Sequence, residues 1–155
     1  MEEERKKVFE ESHRRETILN EIVVDTNVII DYVNGYAPWI DIALDQTTKN
    51  TTLILPTIVL AEYYTSTAFE KADKIAIARE TFKLFTRQPL TEEIAEVLGT
   101  LLRHKTFAPG ASIADLIIAA TALHLDVPLA TTNQRDFARI PLLRFFDPKT
   151  LAKLH

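Results

Sequence analysis

The run Ile22-Val23-Val24 ends abruptly in Asp25, and this short junction restricts the fold more than any other part of the chain. Consecutive β-branched residues read as a buried strand. A carboxylate at the C-terminal end of such a strand lies where open α/β sheets keep their ligand crevice. Three later segments repeat the design by placing an acid near a strand end or in the first turns of a helix. They are Glu62 after Leu-Ile-Leu-Pro-Thr, Asp115 after Gly-Ala-Ser, and Asp136 after Leu-Ala-Thr-Thr-Asn.

Between the acids, strand and helix patterns alternate. Leu53 to Leu55 form a second strand closed by Pro56, and Val127 to Thr131 and Leu142 to Phe146 supply two more. Helical spacing runs from Val28 to Val33, stopped by Asn34-Gly35, from about Pro38 to Asp45, and from Thr57 through Glu62. Ala72 to Phe85 and Thr91 to Arg103 are expected to form an antiparallel helix pair joined across Arg87, Gln88, Pro89 and Leu90. In the second of these, Thr91 caps, Glu92 and Glu93 favour the positive end, and Ile94, Val97, Leu98, Leu101 and Leu102 make one stripe. Ile113 to Leu125 is apolar almost all round and should be central, and Asp147-Pro148 starts a last short helix. Strands alternating with helices imply a three-layer α/β/α sandwich with a small parallel sheet. Residues 21–155 read as one domain, with Met1 to Asn20 a charged arm outside the core.

Composition excludes several classes. The absence of cysteine removes disulfides, thiolate metal sites and cysteine nucleophiles, and fits a reducing cytoplasm. The N-terminus is charged rather than apolar, and the longest apolar stretches are broken by Pro56 or Asp115, so no membrane span is expected. A net charge of -4 gives no broad basic footprint, so any nucleic-acid contact must be local.

Four carboxylates gathered at one sheet end repel each other unless a cation or a shared proton compensates. Oxygen donors without histidine or cysteine favour Mg²⁺ or Mn²⁺ over zinc, and such an ion activates water for attack on phosphorus. Each acid also has a plainer reading. Asp25 can simply cap the next helix, Asp115 stands three residues after Ser112 as in a capping box, Glu62 can face solvent, and Asp136 with Asn133 can form a turn. Asp31, Asp41, Asp45 and Asp126 read as solvated or capping. The loop Arg103-His104-Lys105 with Phe107 offers phosphate contacts and a stacking ring, or is an ordinary solvated loop.

Taken in order, Val23-Val24-Asp25-Thr26-Asn27-Val28, Leu60-Ala61-Glu62, Ala114-Asp115-Leu116-Ile117-Ile118-Ala119 and Thr131-Thr132-Asn133-Gln134-Arg135-Asp136-Phe137 resemble the PIN-domain family. Within that family, chains of this size are most similar to the VapC-type toxins of toxin-antitoxin pairs. The resemblance implies a Mg²⁺- or Mn²⁺-dependent endoribonuclease, commonly dimeric and inhibited by an antitoxin that covers the cleft. It places Asp25, Glu62 and Asp115 as the principal acids and Asp136 at the variable fourth position, all four metal-associated, with Thr26, Asn27 and Asn133 in support. Asp25 and Asp115 would be direct ligands, with Glu62 on the attacking water. Two other readings compete: a catalytically silent PIN-like interaction module, and an aspartate-based phosphatase, against which Asn27 stands where a second aspartate is wanted.

Overall fold

The computed structural model describes residues 1–6, 20–45, 51–65 and 70–152. The expected arm falls mostly on residues 7–19, outside the described residues; residues 2–6 are helical and exposed. Four parallel strands form one sheet in the order β3-β2-β1-β4. They are β1 (Asn20–Val24), β2 (Thr51–Pro56), β3 (Thr86–Gln88) and β4 (Leu129–Ala130). In chain order the helices are α1 (Thr26–Val33), α2 (Trp39–Leu44), α3 (Thr57–Tyr63), α4 (Ala72–Phe82), α5 (Glu92–His104), α6 (Ile113–Leu125), α7 (Gln134–Phe137) and α8 (Lys149–Ala152).

The parallel α/β/α expectation holds, with helices on both sides of the sheet. Ile22, Val23 and Val24 are at most 1% exposed because β1 is an inner strand, paired with β2 through Ile22↔Leu53 and Val23↔Ile54 and with β4 through Val24↔Ala130. Burying each such side chain contributes roughly 1.5–3 kcal/mol. α6 packs on β1 and β2 and carries α3, α5 and α7; α2 packs on β2 together with α8. Ala114, Leu116, Ile118, Ala119, Ala120 and Ala122 are all buried on α6, which explains an apolar circumference that no amphipathic helix shows.

Strand order decides where a site can form. The chain builds β1, β2 and β3 outward in one direction, then crosses back to lay β4 on the other side of β1. Connections from β1 and from β4 therefore leave in opposite directions, which opens a crevice at their C-terminal ends. Asp25 follows β1, and Thr131 to Asp136 follow β4.

Two expectations are corrected. Residues 87–90 do not join a helix pair, because Thr86–Gln88 is an edge strand lying parallel to β2, Ile54↔Thr86 through Pro56↔Gln88. Its composition is polar because it is short and mostly exposed, so no strand pattern marks it. The preceding helix stops at Phe82, with Phe82 and Phe85 turned into the core. The expected strand Leu142–Phe146 reduces to a single bridge, Leu129↔Phe145. There Leu129 N–H donates to Arg144 O and Phe146 N–H donates to Leu129 O. Leu142 adopts a left-handed φ of 66° and is 92% exposed, while Leu143, Phe145 and Phe146 pack against the core from an irregular segment. β4 is likewise shorter than the apolar run that announced it.

Candidate active site

Asp25 is held from three directions. Its N–H donates to Ala130 O (3.0 Å), continuing the β1–β4 ladder one residue past the strand. One carboxylate oxygen accepts from the Thr26 N–H (2.7 Å) and the other from the Thr131 hydroxyl (2.8 Å). The side chain caps α1, as the plain reading expected, yet it is only 4% exposed. Burial pushes its pKa up to about 6 against the pull of the Thr131 and Thr26 hydrogen bonds, and the negative charges of Asp115 and Glu62 raise it further. No basic side chain among the described residues contributes to that balance.

The other principal acids reach the same place from separate helices. Glu62, half-buried on α3, accepts the Thr26 hydroxyl on Oε1 (2.7 Å). Thr26 thus ties the two acids together, its amide on Asp25 and its hydroxyl on Glu62. Asp115 closes a capping box at the start of α6: its Oδ2 accepts from Ser112 N–H (2.8 Å) and its N–H donates to Ser112 Oγ (3.1 Å). The capping reading of Asp115 is therefore correct, and it occupies one oxygen. Oδ1 of Asp115 and Oε2 of Glu62 accept no hydrogen bond among the described residues.

Asp136 is linked to Asp25 through two intermediate residues. It accepts from the Asn133 side-chain amide, and the Asn133 N–H donates to Thr131 Oγ1 (3.0 Å), so a chain of bonds runs Asp136, Asn133, Thr131, Asp25. Asn27 stitches the same end of the sheet by accepting the Thr132 N–H (3.3 Å). The sequence places Thr131 in a motif without giving it a site role, because a threonine closing a strand is indistinguishable from an ordinary β-former. Gly110 brings the α5–α6 loop beside Asp136, where a Cβ on it would lie 3.9 Å from Oδ1. Arg103, His104 and Lys105 are exposed at the C-terminal end of α5, whereas Phe107 is half-buried and packed against the core rather than free to stack.

Histidine, cysteine, aspartate and glutamate side chains form no group of three among the described residues that could hold a metal as they lie. The carboxylates share one end of the sheet without closing into a finished ligand set. No helix among the described residues is long and apolar enough to cross a membrane.

The raised value at Asp25 has a measurable consequence. Its folded pKa of about 6 exceeds the unfolded value near 3.8, so the folded chain binds the extra proton between those pH values. The associated stability is fully present below about pH 4 and is lost as pH rises through about 6. For a buried group this amounts to at most about 3 kcal/mol. Melting in chelator is expected to show Asp25→Asn flattening this part of the pH profile; an unchanged profile would refute the assignment.

A parallel sheet whose acids meet at the switch point defines an acid-centred α/β domain. The PIN-domain profile matches residues 22–143, and the chain belongs to that family. It is 28% identical over 123 residues to Ribonuclease VapC19 of Mycobacterium tuberculosis, covering 79% of this chain and 96% of that protein. Among solved structures it is similar to DNA-bound VapBC from Salmonella typhimurium, with a TM-score of 0.66 and 24% identity over 84% of this chain and 99% of the other. A toxin-antitoxin complex from Klebsiella pneumoniae aligns with a TM-score of 0.60 and 25% identity, covering 82% of this chain and 97% of the other.

Proposed function

We propose that this chain is a divalent-metal-dependent endoribonuclease that hydrolyses RNA phosphodiester bonds, the toxin of a toxin-antitoxin pair. The observation that carries the reading is Asp25, buried beside two further carboxylates with no compensating cation among the described side chains. Such an arrangement costs stability and serves a bound cation. Ribonuclease VapC19 and the Klebsiella complex supply the substrate class and the antitoxin partner by likeness. A homodimer is part of the same proposal.

The donor set is hard oxygen throughout, which suits Mg²⁺ or Mn²⁺. Asp25 and Asp115 would hold the ion directly and Asp136 its water shell. When bound, the ion lowers the pKa of a coordinated water and offsets the phosphate charge. Thr131 and the Thr26 amide fix both oxygens of Asp25, so little reorganisation is needed there. The Thr26 hydroxyl fixes Oε1 of Glu62 and leaves Oε2 to take the proton of the attacking water. Arg103, His104 and Lys105 would contact RNA phosphates from the rim. A phosphoaspartate route is disfavoured, since Asn27 stands where such a site wants a second aspartate.

One other reading is a silent interaction module, in which the acids are kept for structure, as Asp115 is in its capping box. Metal addition separates the two. Mn²⁺ at about a hundred times its dissociation constant should stabilise a nuclease site by roughly 2.7 kcal/mol. It should also start cleavage of a structured RNA pool that chelator stops. Neither thermal stabilisation nor cleavage would leave the interaction module.

A further inference from the structure

A cavity beside the acids has Thr131 in its wall. It encloses about 180 Å³ and is lined by Asp31, Tyr36, Trp39, Thr131, Gln134 and Asp147 among others. Thr131 is the residue whose hydroxyl holds Asp25, so the cavity begins one side chain from the proposed reacting centre. Its volume is below the roughly 300–1,000 Å³ of pockets that take a drug-sized ligand, which limits a guest to one ring system. Tyr36 is 79% exposed, and its ring contacts no other ring among the described residues. Trp39 leans on Phe146 with centroids 5.2 Å apart.

We propose that this cavity binds one nucleobase of the RNA next to the scissile phosphate and that it prefers guanine. The inference rests on the nuclease reading and deepens it. Two aromatic side chains supply a stacking platform for any base. The acids select among bases. Asp31 accepts no side-chain hydrogen bond among the described residues, and Asp147 uses one oxygen on the Lys149 N–H (3.0 Å). Ionised carboxylates only accept, so they repel phosphate and match an edge with adjacent donors. Guanine presents N1–H and the N2 amino group side by side. Adenine and cytosine set one amino group beside an acceptor, and uracil has a single N–H. The Gln134 amide, both donor and acceptor, can donate to guanine O6.

Trp39 is the chain's single tryptophan, so its fluorescence reports on this cavity without any cleavage. Titration with guanosine, adenosine, cytidine and uridine in chelator is expected to give saturable quenching, with guanosine bound about tenfold more tightly than uridine. Asp31→Asn should remove that preference while leaving Mn²⁺-induced stabilisation intact. Cleavage-site mapping should show the native preference for guanine lost in the same variant. Equal quenching by all four nucleosides, or none by any, would overturn the proposal even if RNA is cut. Quenching by N-acetylarginine amide in place of guanosine would also overturn it and assign the cavity to a protein side chain. If guanosine binds selectively and no RNA is cut under any metal condition, the base pocket stands and the nuclease reading fails.

Discussion

Replacing Asp25 by Asn is expected to abolish RNA cleavage and, at the same time, raise the melting temperature of the metal-free chain at pH 7.5. The two effects share one cause. A carboxylate whose pKa is raised to about 6 is mostly ionised at that pH, in a buried position where the ionised form is disfavoured. A neutral amide relieves that cost, although one of the bonds from Thr26 or Thr131 must be remade around its NH₂, so the net gain should be about 1 kcal/mol. Cleavage should fall by at least about a hundredfold, because the amide supplies neither the charge nor the second acceptor oxygen that a cation needs. Glu62→Gln should fall by about 10²–10⁴ if Glu62 moves the proton. Rates on a defined RNA and melts in chelator check both halves. Stabilisation without loss of cleavage would remove Asp25 from the active site; loss of cleavage with loss of stability would make it a structural residue.

Phe137→Ala should cost about 3–5 kcal/mol, a large part of the roughly 5–15 kcal/mol that keeps a domain of this size folded. Phe137 is 1% exposed and sits in the core at the end of α7. A four-residue helix has no stability of its own, so this ring is what seats the turn carrying Asp136 and, just before it, Asn133. Urea denaturation would measure the loss. A cost below about 1 kcal/mol would mean that the turn is anchored elsewhere, through the Asn133–Thr131 bond for example. Where the variant still folds, cleavage should fall further than the folded fraction does.

Much of this architecture was legible because burial and chemistry coincide in the sequence. β1 is apolar on both faces and is followed at once by an acid; α6 carries a capping box and is apolar almost all round. Where they part, the sequence misleads. Thr86–Gln88 is a strand by position alone, since an exposed edge needs no apolar pattern. Leu143, Phe145 and Phe146 are apolar because an irregular segment covers core, and they suggested a strand that is one bridge long. The principal acids and Thr26 could be named, but the Thr131 hydroxyl that holds Asp25 could not, because the two lie 106 residues apart. Asp31 read as a solvated residue because nothing near it in the chain announces the cavity that Tyr36, Trp39 and Gln134 complete.

The capping box at Ser112–Asp115 bears on how such chains change over generations. Asp115 serves folding whatever part it takes in the proposed chemistry, so a lineage that abandoned cleavage would still keep it. Asp25 does the opposite: it burdens the fold and is useful while something binds it. Drift would therefore erase Asp25 early and Asp115 late, and of the two it is Asp25 whose survival in a descendant testifies to a working enzyme.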